Sequence, residues 1–149
     1  MPGGPFTILP LQKGRFFMNS REREQEALKW QDRARRDLRV AKMLFYDKEP
    51  EFDLACYLSQ QCAEKSLKAL LIRRGIRFAY KHDLDYLVGL LPPEDQEKFY
   101  NTRLEWLSGW VTEGRYPGDA AGATSEDAQR AIEIAEAIYN NVSKALRSE

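Results

Sequence analysis

The chain has 149 residues, 43% of them hydrophobic and 31% charged, which is one soluble globular domain's worth of sequence with enough apolar side chains for a single core. Lys plus Arg and Asp plus Glu both number 23, and the resulting zero net charge excludes indiscriminate nucleic-acid binding while leaving room for a local basic patch. One histidine and two cysteines cannot assemble a His/Cys zinc set, and no apolar run is long enough to span a bilayer, so neither a metal site nor a membrane partner is expected.

Residues 1–20 stand apart. Met-Pro-Gly-Gly-Pro, Pro10 and Gly14 forbid a long regular element, so a flexible extension is expected there and a helical domain over 21–149. An extended apolar signal-peptide region is missing. Two readings of the stretch stand side by side: Met18 as the natural start, or a native tail whose Phe6, Ile8, Leu9, Phe16 and Phe17 dock somewhere.

A first helix is predicted from Ser20 to Tyr46, with Trp30, Ala34, Leu38, Ala41 and Phe45 on one apolar stripe. Arg33, Arg35, Arg36, Arg39 and Lys42 make its flanks basic, as a solvated face or a binding face. Pro50 ends the turn that follows. A second helix, about Glu51 to Arg74, carries Phe52, Ala55, Cys56, Ser59, Ala63, Leu67, Leu70 and Leu71. Its small residues let a neighbour come close, Gly75 is a good stop, and Arg73 and Arg74 suit the helix dipole. Cys56 and Cys62 are six apart on this helix, a poor geometry for a mutual bridge, and read as small buried thiols in a reducing cytoplasm.

A mixed connection, 76–82, leads to a short helix from Asp83 to Leu91. A fourth helix is predicted from Pro93 to Thr112 through Phe99, Leu104, Leu107 and Val111, with Trp106 and Trp110 on a second, aromatic face. After a glycine-rich loop over 113–123, Thr124 and Asp127 form a capping box for a last helix with Ala128, Ile132, Ala135, Ile138, Val142 and Ala145 as its stripe. No strand pattern is present. The expected fold is all-α, an antiparallel up-and-down bundle of about five helices, with Trp30, Leu38, Ala63, Leu67, Leu107, Ile132 and Ile138 in the core.

The chemistry concentrates on the second helix. Gln60, Glu64 and Lys68 fall four apart, with Gln61 and Lys65 beside them, and Glu64 precedes Lys68 in the favourable order for a helical ion pair. A glutamine entering an apolar face needs partners at both ends of its amide. His82, the only histidine, is either structural at the start of a helix that Asp83 opens, or a proton carrier, since an unperturbed imidazole titrates near neutrality. The chain lacks a Gly-rich phosphate loop, a paired-Asp metal site and a nucleophile elbow, so no cofactor is expected.

Trp30, Ala34, Asp37-Leu38, Ala41, then Gln60-Gln61, Ala63-Glu64-Lys65, Leu67-Lys68-Ala69, then His82-Asp83-Leu84 with Leu87, then Arg115-Tyr116-Pro117 form an ordered set. Together, over about Ala27 to Ala145, they resemble the HEPN family (higher eukaryotes and prokaryotes nucleotide-binding domain), of the small stand-alone prokaryotic type. The resemblance implies a helical bundle, a homodimer, and a nucleotide or a minimal nucleotidyltransferase protein as partner, such pairs commonly behaving as toxin–antitoxin modules. The binding residues it points to are Gln60, Gln61, Glu64, Lys65, Lys68, His82, Asp83, Arg115 and Tyr116. Arg115 either fastens its loop by pairing with Glu64 or Asp83, or grips a phosphate with its guanidinium fork, and Tyr116 could stack on a base.

Catalytic members of the family cut RNA without metal through an R-x(4–6)-H motif. Arg77 and His82 spell R-x4-H here, but in a connection early in the bundle. The family's motif lies late, where this chain has Gly114-Arg115-Tyr116-Pro117 and no histidine. The leading expectation is therefore a non-catalytic binding domain, and the alternative a ribonuclease using Arg77 and His82.

Overall fold

The computed structural model describes residues 18–111 and 122–148. Arg115, Tyr116 and Pro117, and all but the last three residues of the expected extension, lie outside the described residues. Those described form six α-helices, two 3-10 turns and no strand.

The first helix, α1, spans Ser20–Tyr46. Asn19 caps it, its side chain accepting from the Glu22 amide while Glu22 reaches back to the Asn19 amide, a reciprocal capping box. The second, α2, spans Phe52–Arg74 and stops at Gly75, whose φ of 75° lies in the left-handed region. A Cβ there would meet the Arg23 side chain only at ordinary contact distance, so glycine is needed for the conformation, not for space. The last helix, α6, spans Ser125–Arg147 and starts on the Thr124–Asp127 capping box that the sequence shows.

α2 is the centre of the molecule and packs against both α1 and α6. Gln31 of α1 reaches Tyr139 and Ser143 of α6, while Lys42 reaches Glu136, so α1 and α6 run in opposite senses. Asp53 at the start of α2 accepts from the Ala123 amide just before α6. α2 and α6 therefore start together and run in the same sense. The intervening chain carries the backbone back before α6 begins, so the chain alternates in direction as the expected up-and-down all-α bundle requires.

That intervening chain is where expectation and structure differ most. α3 is Leu84–Gly89, capped by Asp83. The single fourth helix expected over 93–112 is instead α4, Pro93–Gln96, a 3-10 turn at Glu97–Phe99, α5, Leu104–Ser108, and a second 3-10 turn at Gly109–Val111. The break has a register cause. Phe99 and Leu104 are both buried yet five residues apart, about 140° out of phase on a continuous helix. Unwinding between them lets both face the core, with the Thr102 hydroxyl donating to the Phe99 carbonyl.

Leu38, Ala63, Leu67, Leu107, Ile132 and Ile138 are buried as expected. Trp30 is not: it is half-buried at the margin, with Arg33 over its ring. Small residues at 27, 34 and 41 form the α1 face that is sealed, and a large indole is accommodated only at its edge.

Candidate functional site

Glu64 stands at the middle of α2, where the core presses it from several sides. Its side chain is 6% exposed and that of Lys68, one turn on, 3%. Lys68 Nζ lies 2.7 Å from Glu64 Oε2, and the ammonium sits 5.6 Å from the centre of the Phe78 ring and 5.4 Å from that of Tyr80. The other oxygen, Oε1, lies 3.0 Å from His82 Nδ1 and accepts from Gln60 Nε2 at 3.3 Å. Burial alone raises the Glu64 carboxyl, but the charge and hydrogen bond of Lys68, helped by those of His82, outweigh it and hold the carboxyl below its ordinary range. Glu64 is therefore ionised at neutral pH and can only accept, which places the proton on His82 Nδ1.

Gln60 is fully buried, and both ends of its amide are satisfied. Its Nε2 donates to the His82 carbonyl at 2.9 Å, and its Oε1 accepts from Gln61 Nε2 at 2.8 Å. One amide thus anchors the connection over 76–82 to α2, and the backbone of His82 with it.

The structure brings Gln60, Gln61, Glu64, Lys68 and His82 into one network, and it sends Lys65 and Asp83 elsewhere. Lys65 Nζ pairs with Asp37 Oδ2 of α1 at 2.7 Å. Asp83 accepts from the amides of Asp85 and Tyr86 at the start of α3. Arg77 is exposed on the connection. Trp106 and Trp110 stack edge to face with ring centres 5.9 Å apart and lie half-buried against the core, with Arg130 over Trp106.

His82 is 41% exposed and borders a cleft of about 460 Å³ lined also by Asp83, Asp85, Glu105 and Ser108. Burial, then the negative charges of Asp83 and Glu105, raise the Asp85 carboxyl above its ordinary range. Within the described residues this flank is acidic, and the lysines nearest the network are already neutralised by Glu64 and Asp37. Above it stands a residue that the sequence reading passed over as a ligand contact. Tyr80 is 59% exposed, its ring meeting that of His82 at 5.6 Å, edge to face. Lys81 lies beside it, its ammonium 4.7 Å from the centre of the Tyr86 ring. An aromatic flanked by basic residues in an irregular connection was the available signal. No group of His, Cys, Asp and Glu among the described residues is arranged to hold a metal ion, and no helix among them is long and apolar enough to cross a membrane.

A family model described as the HEPN domain matches residues 27–145. The fold is similar to the crystal structure of TT1696 from Thermus thermophilus, with a TM-score of 0.65 and 28% identity over 79% of this chain and 96% of that one. It is similar also to ST0689, an archaeal HEPN homologue, with a TM-score of 0.60 and 33% identity over 80% of this chain and 97% of that one. No curated protein matches the chain.

Proposed function

Since the chain belongs to the HEPN domain family, we propose that it is a non-catalytic member that works as a homodimer and binds a nucleotide, a minimal nucleotidyltransferase protein, or both, in the manner of a toxin–antitoxin pair. The observation that carries this reading is the acidic flank of His82. Asp83, Asp85 and Glu105 repel a scissile phosphodiester at the one histidine, yet they accept well from the N–H edge of a base or from a basic group of a protein partner. Tyr80 offers a face for stacking, held in place by the Gln60 anchor on the same connection. Exposed Arg77 and Lys81, with Arg115 and Tyr116 of the loop over 113–123, supply the phosphate side of such a ligand.

Calorimetric titration with ATP, GTP, CTP and UTP tests this reading. At least one should bind, and Tyr80→Ala should weaken it about 5- to 100-fold, the loss of one base–aromatic stack. Absence of binding to any of them, together with absence of a complex with a co-expressed nucleotidyltransferase, overturns the reading.

One observation favours the alternative, a metal-independent ribonuclease. A carboxylate on Nδ1 fixes the tautomer whose Nε2 is free to take a proton, the orientation a general base needs. Against it, Lys68 already neutralises Glu64, which weakens the carboxylate's support of an imidazolium. Incubation of single-stranded RNA with the purified protein decides between the two.

A further inference from the structure

The same homodimer reading leaves open which face pairs. Trp106 and Trp110, an aromatic pair, lie half-buried against the core. A different face has the required properties. A groove of about 580 Å³ lies between α1 and α6, walled by Leu28, Tyr139 and Leu146. Leu28 is 54% exposed, an aliphatic side chain left in water at the edge of this groove. At its floor is Gln31, only 6% exposed. Its amide nitrogen donates to the Tyr139 carbonyl at 3.1 Å and to Ser143 Oγ at 2.8 Å, while its Oε1 is buried with no donor.

The charges on the rim identify the occupant. Glu24 and Asp32 are matched by Arg35 and Arg147, two acids and two bases around one apolar centre. A two-fold interface sets a patch against itself, so a patch of one sign repels its copy and a balanced patch attracts it. The ion pairs that Asp32 makes with Arg35 and Arg36 in the single chain are exposed, and they yield readily to pairs across an interface. We propose that the α1–α6 groove is the interface with a second copy of this chain. Each copy's Leu28 fills the other's groove, and the guanidinium groups of each rim meet the carboxylates of the other. This proposal rests on the homodimer reading and names the surface that forms the dimer.

Charge reversal in two complementary sets tests it. One variant carries Glu24→Lys and Asp32→Lys, so that its rim is all basic. The other carries Arg35→Glu and Arg147→Glu, so that its rim is all acidic. Sedimentation velocity should show the unmodified protein at twice the monomer mass, each variant alone at the monomer mass, and their mixture back at the dimer mass. Leu28→Asp, at an exposed position, gives the same monomer readout should either double variant fail to fold. If the variants stay dimeric, the groove is not the interface and the homodimer reading survives; residues 1–17 lying in the groove would give that result. If the unmodified protein is itself monomeric, the homodimer reading fails and this proposal with it.

Discussion

His82 Nδ1 lies 3.0 Å from Glu64 Oε1, and the two residues differ sharply in environment. The carboxylate is buried in the middle of α2, and the imidazole is open to solvent on a connection. Glu64 therefore links the core to the site edge: whatever shifts its charge moves both the stability of α2 and the set of the 76–82 connection. Lys68, on the opposite oxygen, makes that charge tolerable inside the bundle.

Lys68→Ala should accordingly cost about 3–5 kcal/mol of unfolding free energy, because it leaves a carboxylate buried without its ammonium. His82 and Gln60 remain as partial partners, which places the expected loss toward the lower end. The double variant Glu64→Gln, Lys68→Met should lose less than the sum of the losses of Glu64→Gln and Lys68→Met made singly, since both charges leave together. Urea titration measures all three, and additive losses would show that the two side chains do not act as a pair.

Glu64 and Asp95 both have carboxyls held below their ordinary values of 4.5 and 3.8. For Asp95 the cause is the Arg74 side chain, with contacts of 2.7 and 3.0 Å between α2 and α4, joined by Lys98. A carboxyl depressed in the folded state binds its proton more readily when unfolded. Its stabilisation is full above the unfolded value and is lost as pH falls through the folded one. The urea midpoint should thus fall as the protein is acidified below about pH 4.5, and Glu64→Gln should flatten that slope. An unchanged slope in Glu64→Gln would assign the acid sensitivity elsewhere, Asp95 first.

Both cysteines are fully buried. Burial, then the charges of Asp127 and Asp53, pushes the Cys56 thiol up to about 12, and burial also raises Cys62. Neither thiolate is populated at neutral pH, so a thiol reagent should modify neither in the folded protein and both in urea. Rapid native labelling of either residue would contradict its placement.

Leu67 is fully buried where α2 meets the core, and Leu67→Ala should cost about 2–5 kcal/mol. The Trp30 ring lies at the margin, so Trp30→Leu should cost clearly less. Thermal or urea unfolding of the two variants ranks them, and the reverse order would overturn the placement of Trp30 at the edge.

Much of this fold was legible because its signals were local. Ser20–Tyr46 and the Thr124–Asp127 cap follow from residues within a few positions of each other. The fully buried Gln60 was legible in kind, since an amide on an apolar face must be satisfied, but its partners were not: the His82 carbonyl lies 22 residues away. Gln31 was passed over although it stands four after Ala27 and three before Ala34, squarely on the apolar face of α1. The broken fourth helix was readable from the five-residue step between Phe99 and Leu104, which a peripheral helix with one narrow buried face does not accommodate, unlike the central α2. The pairing of Lys65 with Asp37, by contrast, depends on how α1 meets α2, and nothing local announces it.

The remaining prediction separates binding from cleavage. If the acidic flank of His82 excludes a phosphodiester, purified protein should leave single-stranded RNA intact without added metal. Nucleotide or partner binding should then depend on a phosphate grip. Arg115→Ala should weaken it by more than Arg115→Lys does, because lysine keeps the charge and loses the planar fork. His82→Ala should have a modest effect on binding, by releasing one of the donors that Glu64 uses. A nuclease behaves differently on each count. It should cut RNA, and His82→Ala should abolish cutting while the circular dichroism spectrum stays helical, because no other side chain here titrates near neutral pH without help. Arg77→Ala should then impair cutting as well. Robust metal-independent cleavage lost in both variants would replace the binding reading with the catalytic one.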